Sequence, residues 1–152
     1  MIYVDLQNGG SARSVPEADE FRRWAEAAAG SGCAEVAIRI VDEAESAELN
    51  QTYRHKPGPT NVLSFPFQVP PGVPSEYLGD LVICAGVVES EAAAQHKSPE
   101  AHWAHMVIHG MLHLRGYDHI DQREAEVMEA EEIAILGRLG FANPYEEETV
   151  PS

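Results

Sequence analysis

The chain has 152 residues, and this length with a 44% hydrophobic share predicts one globular domain spanning residues 1–152. No apolar run approaches the ~20 residues of a transmembrane helix, and the N-terminus lacks the pattern of a signal peptide, so we expect a cytoplasmic protein with no membrane partner. Because 25 Asp and Glu outnumber 10 Lys and Arg, the net charge of -15 disfavours broad electrostatic binding to nucleic acid. The stretch from Gln51 to Val73 contains no acid, however, and leaves a local non-acidic surface.

The N-terminal segment predicts a strand followed by a helix. Apolar and other residues alternate from Ile2 to Leu6, which is typical of a strand. Ser14 and Glu17 are spaced as a capping box ahead of the helical stretch FRRWAEAAA. Gly30 or Gly32 is placed to end this helix.

The middle of the chain predicts three more strands and one helix. Asp42 with Glu45 opens a helix that runs to about Tyr53, where the prolines and glycine of RHKPGPT end it. The proline-rich FQVPPGVPSEY is expected to be a loop, so the strands on its two sides can pair as a long-looped hairpin. The three predicted strands are EVAIRIV, NVLSF and LGDLVICA.

The second half of the chain predicts three helices. The first runs through VVESEAAAQHK, the second is capped by Ser98 with Pro99 in its first turn, and the third begins near Asp121 with Glu124 as capping partner. The tail FANPYEEETVPS is expected to be poorly ordered towards its end. Together the elements predict an α+β fold in which about five helices, including a zincin-like metal helix, cover a small mixed four-stranded sheet.

The stretch HGMLHLRGYDH predicts a metal centre made by three histidines. On a helix, His109 and His113 lie on one face about 6 Å apart and can bind one ion. His119 reaches that ion only if the helix stops, and Gly116 can end it in a left-handed conformation. Three neutral imidazoles leave a zinc ion its full charge and one open position, so we expect one catalytic Zn²⁺ per chain.

The general base of this centre is not evident. The spacing is that of a metzincin protease, but Gly110 occupies the position of the protease glutamate. Either the metal-bound hydroxide needs no protein base, or a residue such as Asp80 or Asp118 enters from elsewhere in the fold. Structural roles are the preferred interpretation for both aspartates.

Three further residues have roles that the sequence leaves open. His102 and His105 share the helical face of His109, and we expect them to support the ligands or to be polar packing. Arg54 stands at a predicted helix end before a rigid loop, where a guanidinium can hold a phosphate. On these residues alone, a solvated surface arginine is the simpler interpretation.

Four segments of the chain resemble the YbeY family of bacterial rRNA maturation factors. The resemblance covers about Tyr53 to Tyr145 with strong motifs and the N-terminal third with a compatible pattern only. The four segments are RHKPGPTNVLSFPF, YLGDLVICAGVVESEAAAQHK, EAHWAHMVIHGMLHLRGYDHI and LGRLGFANPY.

The resemblance implies a single-strand-specific, metal-dependent endoribonuclease that matures the 3′ end of small-subunit rRNA and acts in ribosome quality control. It implies that His109, His113 and His119 hold the metal, usually zinc, that Arg54 is a phosphate contact or catalytic helper, and that Lys56 contacts the RNA backbone. It also implies two partners, a small-subunit ribosomal protein and an assembly GTPase. Two alternatives remain, a metal-dependent peptidase and a non-catalytic assembly factor that zinc stabilises.

Overall fold

The computed structural model describes residues 2–8, 15–30, 32–70, 72–73, 75–117 and 121–145. Within these ranges the chain forms four strands and five helices. In chain order they are β1 Ile2–Asn8, α1 Ala18–Ala29, β2 Ala34–Val41, α2 Glu43–Arg54, β3 Val62–Pro66, β4 Tyr77–Cys84, α3 Ala85–Ala94, α4 Pro99–Leu114 and α5 Gln122–Arg138.

The four strands form one mixed sheet in the order β1-β2-β4-β3. β1 pairs with β2 and β2 with β4 in parallel, whereas β3 pairs with β4 antiparallel. β3 and β4 are joined by a ten-residue loop, from 67 to 76, as the predicted long-looped hairpin requires. The predicted α+β class, the mixed four-stranded sheet and the five helices are therefore confirmed.

Side chains of β4 alternate between the two faces of the sheet and so show where the helices lie. Leu81 and Ile83 belong to the main core, which also contains the buried residues of α1 and α4. Val82 and Cys84 belong to a smaller cluster on the other face, against which Leu49 of α2 packs. The helix that carries Arg54 and the helix that carries His109 therefore lie on opposite faces of the sheet.

Helix α4 lies at the centre of the protein. Its first turn is fixed by Ser98, whose side chain accepts a hydrogen bond from the backbone N–H of Ala101 at 3.1 Å, and by Pro99. The helix is buried on nearly every side and contacts α1, α3, α5, β3 and β4. Trp103 packs edge-on against Phe21 of α1, with ring centroids 5.6 Å apart. Side chains on α4 are therefore held by the main core.

The predicted capping box of α1 is wrong in its register. Glu17 is itself the N-cap residue, in an extended conformation, and the helix begins at Ala18. A helix capped by Ser14 would require a helical backbone at Val15, but Pro16 disfavours that conformation for the residue before it. The end at Gly30, with φ +83°, is as predicted. Ser14 itself, Asp118, His119 and the tail from 146 lie outside the described residues.

Across the described ranges, no helix combines the length and the apolar character that crossing a membrane requires.

Candidate metal centre

His109 and His113 lie one helical turn apart near the C-terminal end of α4. Their Nε2 atoms point at each other and are 3.2 Å apart. Two nitrogens that bind one tetrahedral zinc ion at about 2.0–2.1 Å are about 3.3–3.4 Å apart, so this pair has the spacing of two ligands. His119, the third predicted ligand, lies outside the described residues, and the full set of three stays a prediction.

A carboxylate from α5 completes the environment of His109. The Nδ1 atom of His109 makes a short hydrogen bond to Oε1 of Glu132, whose side chain is 0% exposed. A carboxylate accepts this bond only from a protonated Nδ1, so the neutral imidazole keeps its lone pair on Nε2, the atom that faces His113. Glu132 therefore fixes the tautomer of His109 that can bind a metal through Nε2.

The other oxygen of Glu132 faces two further side chains. Its Oε2 lies 3.1 Å from Nε2 of His105 and accepts a short hydrogen bond from the hydroxyl of Tyr145. Burial opposes ionisation of this carboxyl, but its hydrogen bonds and charge interactions with His105 and His109 outweigh burial and lower the pKa of Glu132 to about 2. Burial, together with the hydrogen bond to Glu132, raises the pKa of Tyr145.

Glu132 is a site residue that the sequence interpretation missed. It occupies the same stripe of α5 as the buried Met128, Ile135 and Leu136, at helical spacings of four and three. An acidic residue at a position that the helical period assigns to the core needs a polar partner. This pattern in the sequence indicates that Glu132 is a candidate site residue.

Two metal positions are conceivable around His109. The ligand atoms of His105, His109 and Glu132 all lie within 4.8 Å of one another, so this mostly buried group can hold an ion. The pair of His109 and His113 instead lines an open cleft, which neither His105 nor Glu132 lines. Because Glu132 is 0% exposed and both of its oxygens already accept hydrogen bonds, the geometry favours the His109–His113 side for a catalytic ion.

The cleft crosses β3, the edge strand of the sheet, and has a volume of about 730 Å³. Its lining includes His109, His113 and Tyr117 from α4 and the segment after it, and Tyr53 and Arg54 from the end of α2. The two helices lie on different faces of the sheet, and residues of both line the cleft because it crosses the edge of the sheet. Arg54 therefore shares a cavity with two of the predicted metal ligands.

Buried polar groups of α2 hold the loop that follows Arg54. The Oγ atom of Ser46 donates to the carbonyl of Thr60 at 2.9 Å and accepts from its N–H at 3.0 Å. The amide of Asn50 donates to the carbonyl of Gly58 at 2.9 Å. These bonds fold the loop back onto its own helix, so the helix end that carries Arg54 is fixed.

Lys56, the second predicted substrate contact, lies two residues beyond Arg54 in this loop. It is exposed and is not among the residues that line the cleft. Its contact with a substrate stays a prediction.

Gly110 packs directly against the sheet. A Cβ atom at this position would lie 2.7 Å from Cδ2 of Leu81, a fully buried side chain of β4. The residue after the first histidine thus points into the core and not into the cleft. No glutamate fits there, so a base placed as in a metzincin protease is excluded by packing.

The remaining polar candidates lie away from the His109–His113 pair. Asp80 accepts a short hydrogen bond from Tyr77 and lines a separate cavity with Arg39, on the α2 face of the sheet. His102 pairs with Glu91 of α3, its Nε2 atom lying 3.0 Å from Oε1. Burial lowers the pKa of His102, and the hydrogen bond to Glu91 opposes this shift.

Comparison with known proteins adds a family to this geometry. Residues 11–140 match the family described as Endoribonuclease YbeY. A protein of Methylococcus capsulatus named Endoribonuclease YbeY is 66% identical over 147 residues, covering 97% of each chain. A protein of Coxiella burnetii with the same name is 51% identical over 152 residues, covering 97% of this chain and 100% of the relative. The solution structure of TM1509 from Thermotoga maritima is 24% identical and covers 100% of both chains, with a TM-score of 0.53, which supports the fold alone.

Proposed function

This chain belongs to the YbeY endoribonuclease family, and we propose that it cleaves single-stranded RNA at a zinc centre held by His109, His113 and His119. The observation that carries the proposal is the shared cleft, which Arg54 and two of these histidines line together with the edge strand. A metal held by the imidazole pair and a guanidinium in the same cleft suit a phosphodiester, whose negative charge both would stabilise.

The histidines supply neutral nitrogen ligands to the ion. Glu132 keeps Nε2 of His109 unprotonated, and the position of both rings on the central helix fixes their spacing. A zinc ion held by these three imidazoles would supply a Lewis acid for a phosphoryl oxygen and would activate water for attack. Because Glu132 is buried and accepts hydrogen bonds on both oxygens, it orients His109 and does not take up the proton of the attacking group.

Arg54 is proposed as the residue that contacts the scissile phosphate. Its planar guanidinium can donate two parallel hydrogen bonds to phosphate oxygens and can stabilise the charge that develops during cleavage. Its position on a helix end that Ser46 and Asn50 hold supports this role, since a fixed donor needs little reorganisation. Lys56 is proposed to contact the backbone further along the strand.

The proposed substrate is the 3′ region of small-subunit rRNA, and the proposed setting is ribosome maturation and quality control in the cytoplasm. A small-subunit ribosomal protein and an assembly GTPase are the proposed partners, and family resemblance is their support. Gly110 weighs against a peptidase, because the core fills the place of the glutamate that peptide hydrolysis uses in metzincins.

The direct test is cleavage of a labelled single-stranded RNA and of its duplex by metal-analysed protein. We expect cleavage of the single strand that a chelator stops and added zinc restores. His113→Ala should remove both zinc binding and cleavage, whereas Arg54→Ala should keep zinc and lose cleavage. Cleavage that persists unchanged in both variants would not depend on the proposed site and would refute the proposal.

A cellular experiment separates the enzyme from a non-catalytic assembly factor. A folded Arg54→Ala protein is expressed in cells that lack the wild type, and the 3′ end of small-subunit rRNA is mapped. We expect unprocessed ends. Normal processing by a variant that does not cleave RNA would show that the protein acts without catalysis.

A further inference from the structure

A second cavity lies on the other side of His109. It has a volume of about 450 Å³, within the range of about 300–1,000 Å³ that is typical of small-ligand sites. Asn61 and His109 line both this cavity and the Arg54 cleft, so the two cavities meet at the metal ligand. One RNA strand bound at His109 can therefore occupy both cavities.

The lining of this cavity has the chemistry of a nucleotide site. Tyr145 forms part of its wall and is 42% exposed, so its ring is open to a stacking partner. Its hydroxyl and its edge-on contact with His105, at 5.4 Å between centroids, hold the ring in place. Gln95 contributes an amide that both donates and accepts, as the edge of a base requires. Bases of single-stranded RNA are bound in this way, by stacking on aromatic rings and by hydrogen bonds to their edges.

Lys97 supplies a cation to the same cavity. The chain has only 10 Lys and Arg, yet Arg54 lines the cavity on one side of His109 and Lys97 the cavity on the other. Glu91 also lines this cavity and interacts electrostatically with Lys97, but Glu91 is paired with His102. Among the described residues Lys97 forms no ion pair within 4 Å, so a phosphate can bind its ammonium group. Its backbone N–H donates to the carbonyl of Ala92 at 2.9 Å, which fixes the residue at the end of α3. An acidic protein thus places cations on both sides of the predicted metal.

We propose that the second cavity binds the nucleotide next to the cleaved phosphate, with its base stacked on Tyr145 and its outer phosphate bound by Lys97. This inference rests on the proposed endoribonuclease function and adds a subsite to it. The RNA then contacts the protein on both sides of the metal. The protein recognises an unpaired base that can stack on Tyr145, and it does not require a folded RNA structure.

The test measures binding of a fluorescent single-stranded RNA to metal-free protein at several salt concentrations, so that binding is separated from cleavage. Loss of one phosphate contact should lower the slope of log K against log salt by about 0.7. We expect this change, with weaker binding, for Lys97→Ala. The matched control is Arg22→Ala, which removes the same charge from an exposed pair with Glu26 and lines neither cavity. The control should keep the wild-type slope.

Stacking is tested with Tyr145→Leu and with the matched control Tyr3→Leu, which removes a ring that is 64% exposed and lines neither cavity. Tyr145→Leu should weaken binding at least fivefold, the loss of about 1 kcal/mol that one stacked base contributes at minimum. Tyr3→Leu should bind as the wild type does. If wild-type protein binds and cleaves the RNA while Lys97→Ala matches Arg22→Ala and Tyr145→Leu matches Tyr3→Leu, the subsite is refuted and the endoribonuclease function stands. If wild-type protein neither binds nor cleaves single-stranded RNA, both proposals fail.

Discussion

Replacing Glu132 tests whether a buried carboxylate orients the metal ligands. In Glu132→Gln the side chain keeps its shape, but one of its two acceptor oxygens becomes an amide donor. The amide oxygen can still accept from His109, and the amide nitrogen then faces His105 and Tyr145 where an acceptor stood. A hydrogen bond to a charged group contributes about 1.5–3 kcal/mol and a neutral one about 0.5–1.5 kcal/mol.

The difference of about 1–1.5 kcal/mol predicts that Glu132→Gln weakens zinc binding about five- to twelvefold. Glu132→Ala leaves His109 without its orienting partner and should weaken zinc binding by up to about 100-fold. It should also lower the free energy of unfolding by about 1–3 kcal/mol or more, because buried polar groups lose their acceptor. Zinc affinity is measured by competition with a chromophoric chelator, and the free energy of unfolding by denaturant titration.

The control is Glu126→Gln, which makes the same chemical change at an exposed position of the same helix. If Glu132→Gln binds zinc as tightly as this control, Glu132 does not orient His109 and the reasoning is wrong. If it abolishes zinc binding while His113→Ala leaves binding intact, the ion lies between His105, His109 and Glu132, and the carboxylate is itself a ligand.

Three further predictions concern packing, catalysis and pH. Gly110→Ala should lower the free energy of unfolding by about 1–2 kcal/mol, because the added methyl group overlaps Leu81. Gly137→Ala in α5 should raise it by about 0.5–1 kcal/mol, because the methyl group there meets nothing within 4 Å. Denaturant titration measures both variants, and equal effects would refute the packing argument. Arg54→Ala should lower kcat/KM for RNA about 100- to 1,000-fold with unchanged zinc content, and Arg54→Lys should keep only part of the wild-type kcat/KM. An unchanged kcat/KM in Arg54→Ala would show that Arg54 takes no part in the reaction. Burial lowers the pKa of His102, so below about pH 6.5 the unfolded chain binds a proton that the folded protein resists, and the free energy of unfolding decreases as the pH falls through this value. The free energy of unfolding of His102→Gln should therefore decrease less between pH 7.5 and pH 5.5 than that of the wild type. Equal decreases would contradict the lowered pKa of His102.

The sequence predicted the parts of the site that follow from local spacing. A four-residue interval places His109 and His113 on one helical face whatever the tertiary structure, and Ser98 with Pro99 defines where that helix begins. The cap at Asp42 was likewise readable, and its carboxylate accepts from the N–H of Glu45 at 2.8 Å. These features depend on contacts within one turn of helix.

The parts that were missed depend on contacts between distant elements. Glu132 reaches His109 only because α5 packs against α4, and no spacing within α5 reveals its partner. The residues around Arg54 in the sequence do not distinguish a functional arginine from a surface arginine. The distinction comes from the fold, in which Arg54 and His109 line one cleft at the edge strand. The predicted start of α1 is wrong for a local reason, because the constraint that Pro16 places on the backbone of Val15 outweighs the capping pattern of Ser14 and Glu17.

The central position of α4 also determines how the protein opens. Its backbone amides are covered by three other helices and two strands, so their hydrogen exchange should require global unfolding and should be the slowest in the chain. The edge strand β3 pairs with one neighbour only, so it can open locally without disturbing the interval between His109 and His113. Because the two ligands separate only when the core does, bound zinc should raise the melting temperature with its concentration, by an amount that reports its affinity for the folded state.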